Sequence, residues 1–436
     1  MSIFQTELEI LDNATSMRLS GRVSKIIGLI IECEGLSAPV GSICSIQPSH
    51  SNQTIETEVV GFREDRLLLM PFGEMRGIKR NDIVNCKNNI QSVSIGMELL
   101  GRIVDARGNP IDNGPTVNTA RKNFIYAAPP KALSRQRISK PLATGVKCID
   151  GLSTCGRGQR VGLFSGSGVG KSVLMGMVAR NTEAQVNVIC LVGERGREVR
   201  EFIEKDLGKE GLKRSIVVVA TSDEPALLRV KAPFTASAIA EFFRDMGMDV
   251  LLLMDSITRM AIAQREIGLS IGEPPATKGF TPSVFAMMPK LLERAGTSDK
   301  GSITGIYTVL VESDDINEPV ADTARSILDG HIWLSRDIAT KGHYPAIDPL
   351  MSVSRLMIEV VSREHREAAV KIKSIMATYR NAEDLINIGA YVHGSNPDID
   401  HAIKLMPKIN AFLKQDIAEK TTYEKTVQSL LELAGQ

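Results

Sequence analysis

The sequence predicts an α/β protein: a small N-terminal β-barrel, a central P-loop α/β domain and a C-terminal helical domain. Three observations carry this. From Leu19 to about Asn89, short apolar segments alternate with turn residues, the spacing of a small closed barrel. From Gln159 to about Leu334, strand and helix patterns alternate, and Asn187–Val192 and Asp249–Met254 are apolar after their first residue, with no alternation. A strand covered by helices on both faces reads that way. Beyond about Ser362 the strand signals stop and helical spacing takes over. The expected units are a short N-terminal segment (1–18), a barrel (19–92), the α/β domain with its connector (93–360) and the helical domain (361–436).

Residues 1–15 are compatible with a short helix or with loose chain. The barrel strands are expected at Arg22–Gly28, Ser42–Ile46, Thr57–Phe62, Arg66–Met70 and Asp82–Cys86. The connector 95–160 holds Gly101–Pro110 and the proline-bearing Ala128-Pro-Pro130, and reads as irregular structure. Core strands are expected at 160–164, 186–192, 215–220, 249–254, 303–310 and 331–334. C-terminal helices are expected at Glu364–Ser374, Ala382–Ile388, Ile399–Lys404, from Pro407, and at Thr421–Leu433.

Bulk properties exclude several classes. With 436 residues, 43% hydrophobic and 24% charged, the chain has the composition of a soluble globular protein with a large core. A net charge of +1 gives no sign of a nucleic-acid-coating surface. The six cysteines show no Cys-x-x-Cys spacing and read as buried reduced thiols, not metal ligands. The N-terminus lacks a basic-then-apolar signal and no apolar run is long enough to span a bilayer, so a cytoplasmic location is expected.

The chain is organised around Ser165-Gly-Ser-Gly-Val-Gly-Lys-Ser172, between the apolar run Arg160–Phe164 and the helical pattern Val173–Ala179. That is the context of a phosphate-binding loop. Glycines 166, 168 and 170 let backbone N–H groups turn inward around a polyphosphate, where a Cβ would clash. The helix N-terminus adds partial positive charge there. In such a loop Lys171 reaches the β- and γ-phosphates and the Ser172 hydroxyl ligates Mg²⁺. The expected nucleotide contacts are Gly166, Ser167, Gly168, Val169, Gly170, Lys171, Ser172 and Val173. Ser165 stands where the usual pattern opens with glycine. The bland alternative is a Gly/Ser turn, and the Gly-Lys-Ser ending in this context argues against it.

Hydrolysis also needs a metal-organising acid and a group that positions water. Asp255 ends the apolar run 250–254, at the edge where ligands bind in open α/β sheets, and suits Mg²⁺ through a bound water. Alone, such an Asp is more often a helix cap; the upstream loop reverses that. Ser256, not Glu, follows it, so the water-orienting carboxylate comes from elsewhere. Glu194, in Val192-Gly-Glu-Arg-Gly-Arg-Glu198, is the best candidate, its alternative being a first-turn helix acid. Glu198 and Glu201 are weaker ones, further along that helix. Arg195 and Arg259 stand at the same sheet edge, placed for phosphate oxygens. Read alone, Tyr344 before Pro345 is packing and Arg355 after Ser354 is surface.

Lys171-Ser172, Gly193-Glu-Arg195, Leu253-Met-Asp-Ser-Ile-Thr-Arg259 and Tyr344-Pro-Ala-Ile-Asp-Pro349 together resemble the catalytic subunit of rotary ATPases. Arg229-Val-Lys-Ala-Pro-Phe-Thr-Ala-Ser237, Gln264–Gly279 and Leu291-Leu-Glu-Arg-Ala-Gly296 are closer to the type III protein-export ATPases, the flagellar branch in particular. The resemblance runs from about residue 18 and is strongest through 145–395. It implies a RecA-like central domain that hydrolyses ATP with Mg²⁺ for unfolding, chaperone release and delivery of flagellar proteins for export. It also implies a homohexameric ring with nucleotide between neighbours. In that ring Glu194 would orient water, Tyr344 would pack on adenine, and Arg355 would act in trans on the next subunit's site. The implied partners are a stator-like regulator contacted by residues 1–18, a stalk protein, the export gate and chaperone–substrate complexes. The implied location is peripheral, at the inner face of the cytoplasmic membrane.

An injectisome export ATPase or a rotary catalytic subunit is the nearest competing reading; the acidic Asp-Glu-Leu-Ser-Glu-Glu-Asp segment of rotary subunits is absent. A hexameric nucleic-acid translocase would need stacking aromatics and a basic groove on its barrel. Segment 19–89 offers Phe62 and Phe72 and no basic cluster, so no nucleic-acid partner is expected. A non-catalytic nucleotide-binding ring subunit would lack a carboxylate at 194, and Glu194 is present.

Overall fold

The computed structural model describes residues 19–49, 53–87, 91–117, 119, 121–311 and 318–436. The expectation for residues 1–18 lies outside them. Strands β1 (Ser20–Ile27), β2 (Ile30–Glu34), β3 (Ile43–Gln47), β4 (Ile55–Arg63), β5 (Arg66–Pro71) and β6 (Ile83–Cys86) close into an antiparallel barrel in the order β1-β2-β5-β4-β3-β6. Val23, Ile31, Cys44, Ile46, Val59 and Leu69 fill its interior. The expected strands are present, and β2 is an addition. The run Ile26–Ile31 reads as one apolar stretch, but Gly28, at φ 56°, turns it into a hairpin pairing Ile27 with Ile30.

The connector differs from expectation. β7 (Ser92–Ile95) pairs with β9 (Arg121–Phe124), and β8 (Ile103–Asp105) adds in parallel to the edge of the core sheet. A three-residue strand is too short to show a period; the neighbouring sheet imposes it.

The core sheet holds β10 (Arg160–Ser165), β11 (Val186–Glu194), β12 (Ser215–Thr221), β13 (Asp249–Asp255), β14 (Gly296–Thr297), β15 (Ser302–Leu310), β16 (Gly330–Leu334) and β17 (Val353–Ser354). Its order is β17-β16-β10-β15-β13-β11-β12-β8, parallel from β16 to β8, with β14 antiparallel on β15. β11 is buried along its whole length, as its unbroken apolar pattern predicts.

In the stretches Arg229–Ser237 and Leu291–Gly296, residues that carry the resemblance are structural. Lys231, 2% exposed, docks barrel on core: its ammonium donates to Glu58 of β4 at 2.6 Å and to Gln91 of the connector. Thr235 donates to the Ala106 carbonyl at 2.7 Å, and Arg229 pairs with Glu266 at 2.7 Å. Arg294, 1% exposed, forks onto both oxygens of Glu241 at 2.8 and 2.6 Å. A buried cation is tolerable only when held this way. All six cysteines are free thiols, five of them buried.

The C-terminal domain is three helices, Arg363–Asn387, Pro397–Leu413 and Tyr423–Ala434. Two expected breaks are absent. Segment 375–381 contains no breaker, so the first two predicted helices are one. Pro407 sits inside the second helix and does not begin a new one. Proline removes one backbone hydrogen bond there, while Ala402, Leu405, Ile409 and Leu413 keep one face buried. Among the described residues no helix is long and apolar enough to cross a membrane.

Candidate active site at the sheet edge

Four adjacent strands, β10, β15, β13 and β11, each deliver one element of the site at their C-terminal ends. β10 runs into the phosphate loop, and the helix Lys171–Asn181 begins directly after it. Gly168 and Gly170 have φ of 79° and 89°, which side-chain-bearing residues rarely adopt. Ser165 is accommodated because it is the last strand residue, paired with Leu310 in extended backbone. Ser167, Lys171, Ser172 and Val173 line a cavity of about 780 Å³ with Gly166, Gly168 and Gly170. Val169 is buried beneath the loop.

Asp255 is 2% exposed. Its Oδ1 accepts from Lys171 Nζ at 2.5 Å and from Thr308 Oγ1 at 2.7 Å. It is not a helix cap: Ser256 caps the helix Ile257–Ile271, its hydroxyl accepting from the Arg259 amide at 3.3 Å. Glu194 is the last residue of β11, ahead of the helix Gly196–Glu201. Its Oε1 lies 3.6 Å from Lys171 Nζ and its Oε2 lies 3.2 Å from Arg259 Nη2. Gly193 makes this fit. Its φ of 67° accompanies a register shift in β11, and a Cβ there would come within 3.0 Å of Arg259 Cδ. Arg259 also donates to the Gly193 carbonyl.

Glu194 is 8% exposed and its Oε1 makes no hydrogen bond. Burial pushes its carboxyl up to about 7; the Asp255 charge and a hydrogen bond with Glu198 add to this, and Lys171 and Arg259 oppose it. A water-orienting carboxylate works ionised. We therefore expect kcat/KM for ATP to rise with pH through an apparent pKa near 7. A flat profile between pH 6 and 8 would remove Glu194 from that role. Stability runs the other way. The folded chain keeps a proton that the unfolded chain, at the ordinary value of 4.5, releases, so this carboxyl's contribution is full below pH 4.5 and lost as pH rises through about 7.

The remaining candidates are distributed differently. Glu198 lines the same cavity, while Glu201 pairs with Arg197 on the outer face of its helix at 3.7 Å. Arg195, 80% exposed at the side chain, pairs with Glu198 at 3.6 Å and does not line the cavity. Tyr344 stands beside the loop: a Cβ on Gly170 would lie 3.7 Å from its ring carbons, and the residue is 49% exposed. Its carbonyl accepts from the Gln415 amide at 3.0 Å. Arg355 is elsewhere. It borders a separate cavity with Arg160, Asp329 and Glu359, next to the start of β10. The phosphate loop lies at the other end of that six-residue strand, about 17 Å away. Sequence reasoning missed Thr308, which is one of several hydroxyl residues in β15 and carries no distinguishing local signal, and Arg336, which lines the cavity.

Three family profiles match in the order of the folded units. They are the ATP synthase alpha/beta family beta-barrel domain over 23–88, its nucleotide-binding domain over 145–354, and the T3SS EscN ATPase C-terminal domain over 361–432. The chain is 51% identical over 432 residues to the flagellum-specific ATP synthase of Bacillus subtilis, covering 99% of each. The chain belongs to the ATP synthase alpha/beta family, in its flagellar and type III secretion branch. Among solved structures, the assembled ATPase EscN of the enteropathogenic E. coli type III secretion system is 46% identical, with a TM-score of 0.91 over 95% of this chain and all of that one. EscN in complex with its central stalk EscO is likewise 46% identical, with a TM-score of 0.88 over the same shares. ATP hydrolysis is the activity of this branch, and the site sets a glycine cradle, a lysine and two buried acids on neighbouring strands.

Proposed function

We propose that this chain is the ATPase of a flagellar type III protein-export apparatus, hydrolysing ATP to release and unfold chaperone-bound flagellar proteins for export. The observation that carries the reading is a division of parts. The phosphate loop, Asp255 and Glu194 share one cavity edge, while Arg355 projects at the far end of β10. A homohexameric ring with nucleotide between neighbours makes use of both. Arg355, with no carboxylate paired to it among the described residues, then completes the next protomer's site.

The backbone amides of residues 166–172 hold the phosphates, and Lys171 moves from Asp255 onto the β- and γ-oxygens. Ser172 and a water held by Asp255 offer hard oxygen donors suited to Mg²⁺. Bound there, Mg²⁺ would neutralise charge on the β- and γ-phosphates. Glu194 orients the attacking water, Arg259 holds Glu194 in place, and Tyr344 packs on the adenine. Arg195, turned outward, is assigned to phosphate only in a ring where a neighbour folds it inward.

The partners proposed are a stalk protein, a stator-like regulator, the export gate and chaperone–substrate complexes, at the inner face of the cytoplasmic membrane. EscN's complex with a central stalk protein supports the first of these. An injectisome ATPase is the second reading, favoured by the likeness to EscN at 46% identity, against 51% for the flagellar relative. Neighbouring genes for flagellar components decide between them.

ATPase rate per protomer, measured against protein concentration beside a mass determination, tests the ring. We expect specific activity to climb steeply as monomers assemble. A monomer with full specific activity at every concentration would overturn the shared site.

A further inference from the structure

Arg355 needs a fixed position if its charge is to meet phosphate oxygens on a neighbour, yet among the described residues its guanidinium hydrogen-bonds only to the Arg325 carbonyl, at 3.4 Å. What fixes it is its backbone. The Arg355 amide donates to the carbonyl of Asp329 at 3.0 Å, and the Gln159 side-chain amide donates to the same carbonyl at 3.0 Å. The residue before it, Ser354, donates to the Thr154 carbonyl at 2.8 Å and pairs across the sheet with Gly330. A Cβ on Gly330 would stand 2.4 Å from the Val353 carbonyl, so glycine is what lets this segment close on the sheet.

Asp329 is itself gripped by the first residue of β10. Arg160 forks onto its carboxylate, Nε to Oδ2 at 3.0 Å and Nη2 to Oδ1 at 3.2 Å. The Arg160 amide adds a third bond to Oδ2 at 3.1 Å, and the Asp329 amide returns one to the Arg160 carbonyl at 2.8 Å. Glu293 pairs with Arg160 from the other side. A bidentate guanidinium–carboxylate pair, backed by two main-chain bonds, holds orientation as well as distance. None of these groups lines the nucleotide cavity.

We propose that Asp329, clamped by Arg160, is the positioning residue for Arg355, and that β10 thereby ties the finger a protomer offers to the phosphate loop it carries. The inference rests on the trans role of Arg355. Loosening the clamp shifts a charge that must sit at phosphate-contact distance, and misplacement of about 1 Å costs up to ~10²-fold in rate. The loss falls on turnover and leaves the mutated protomer's own nucleotide cradle whole.

The test uses full-length Asp329→Asn, which keeps the backbone carbonyl and removes the charge that holds Arg160. Alone it should hydrolyse ATP about tenfold to a hundredfold more slowly, with fluorescent-nucleotide affinity within about twofold of the parent. Mixed with Lys171→Ala protomers it should regain activity, because its intact loop then meets the parent-like finger of its neighbour. Arg355→Ala mixed with Lys171→Ala runs in parallel. If Arg355→Ala is rescued and Asp329→Asn is not, the clamp is overturned and the finger stands. If neither is rescued, the finger reading falls and takes the clamp with it. Full activity of Asp329→Asn alone also overturns the clamp. Should Asp329→Asn fail to fold, Arg160→Gln opens the clamp from its other side and is read by the same mixtures.

Discussion

Lys171→Ala leaves a folded chain whose ATP turnover is lower by at least about 10²–10³-fold. Among the described residues Lys171 is the cation paired with both acids, 2.5 Å from Asp255 and 3.6 Å from Glu194. In turnover its charge is spent on phosphate oxygens from a side chain only 12% exposed, where a preorganised donor counts for more than in solution. The glycine loop survives the substitution, since its shape comes from backbone torsions at Gly168 and Gly170 and from the strand before it. Far-UV circular dichroism should therefore be unchanged while phosphate release falls to background. In a cell whose own copy is deleted, the variant should leave flagella unassembled. Ordinary hydrolysis by this variant would remove the loop from the mechanism.

Arg355→Ala should bind nucleotide as the parent does and hydrolyse it about 10³–10⁵-fold more slowly, the range over which an arginine finger acts. The two halves of that statement have separate causes. The cradle lies at the opposite end of β10 from Arg355, so affinity is untouched. Charge developing on the phosphates loses one of its compensating cations, so the barrier rises. In a randomly mixed ring with Lys171→Ala protomers, roughly one junction in four pairs an intact loop with an intact finger. Two inactive preparations should then yield an active one, read by phosphate release after mixing. Equal loss of binding and turnover would show that Arg355 serves its own cavity, and the trans assignment would be lost.

Much of this site is written locally. Ser165–Ser172 encodes its own geometry, because glycine torsions, a preceding strand and a following helix lie within one short stretch. Asp255 and Glu194 are legible for the same reason: each ends an unbroken apolar run, and strand ends in such sheets face ligands. Thr308 is not legible, since its role depends on β15 lying between β10 and β13, and no local pattern reports strand order. The outward turn of Arg195 is equally hidden, being set by its cap contacts with Glu198. Elements made by their neighbours escaped as well: β8 exists because β12 offers an edge, and the helix through Pro407 persists because its inner face is packed. Arg355 reads as a surface residue unless the sequence is compared with a family whose members assemble.

Gln415 has a consequence for how the helical domain responds to nucleotide. Its amide holds the Tyr344 carbonyl, its side chain holds the Lys147 amide at 2.9 Å and the Gly145 carbonyl at 2.8 Å, and it directly follows the helix Pro397–Leu413 and Lys414. The residue beside the phosphate loop and the C-terminal end of the helix Pro397–Leu413 are thus riveted together through Gln415. A displacement of the Tyr344 main chain would reach the helix Pro397–Leu413 through Gln415, with only Lys414 between them.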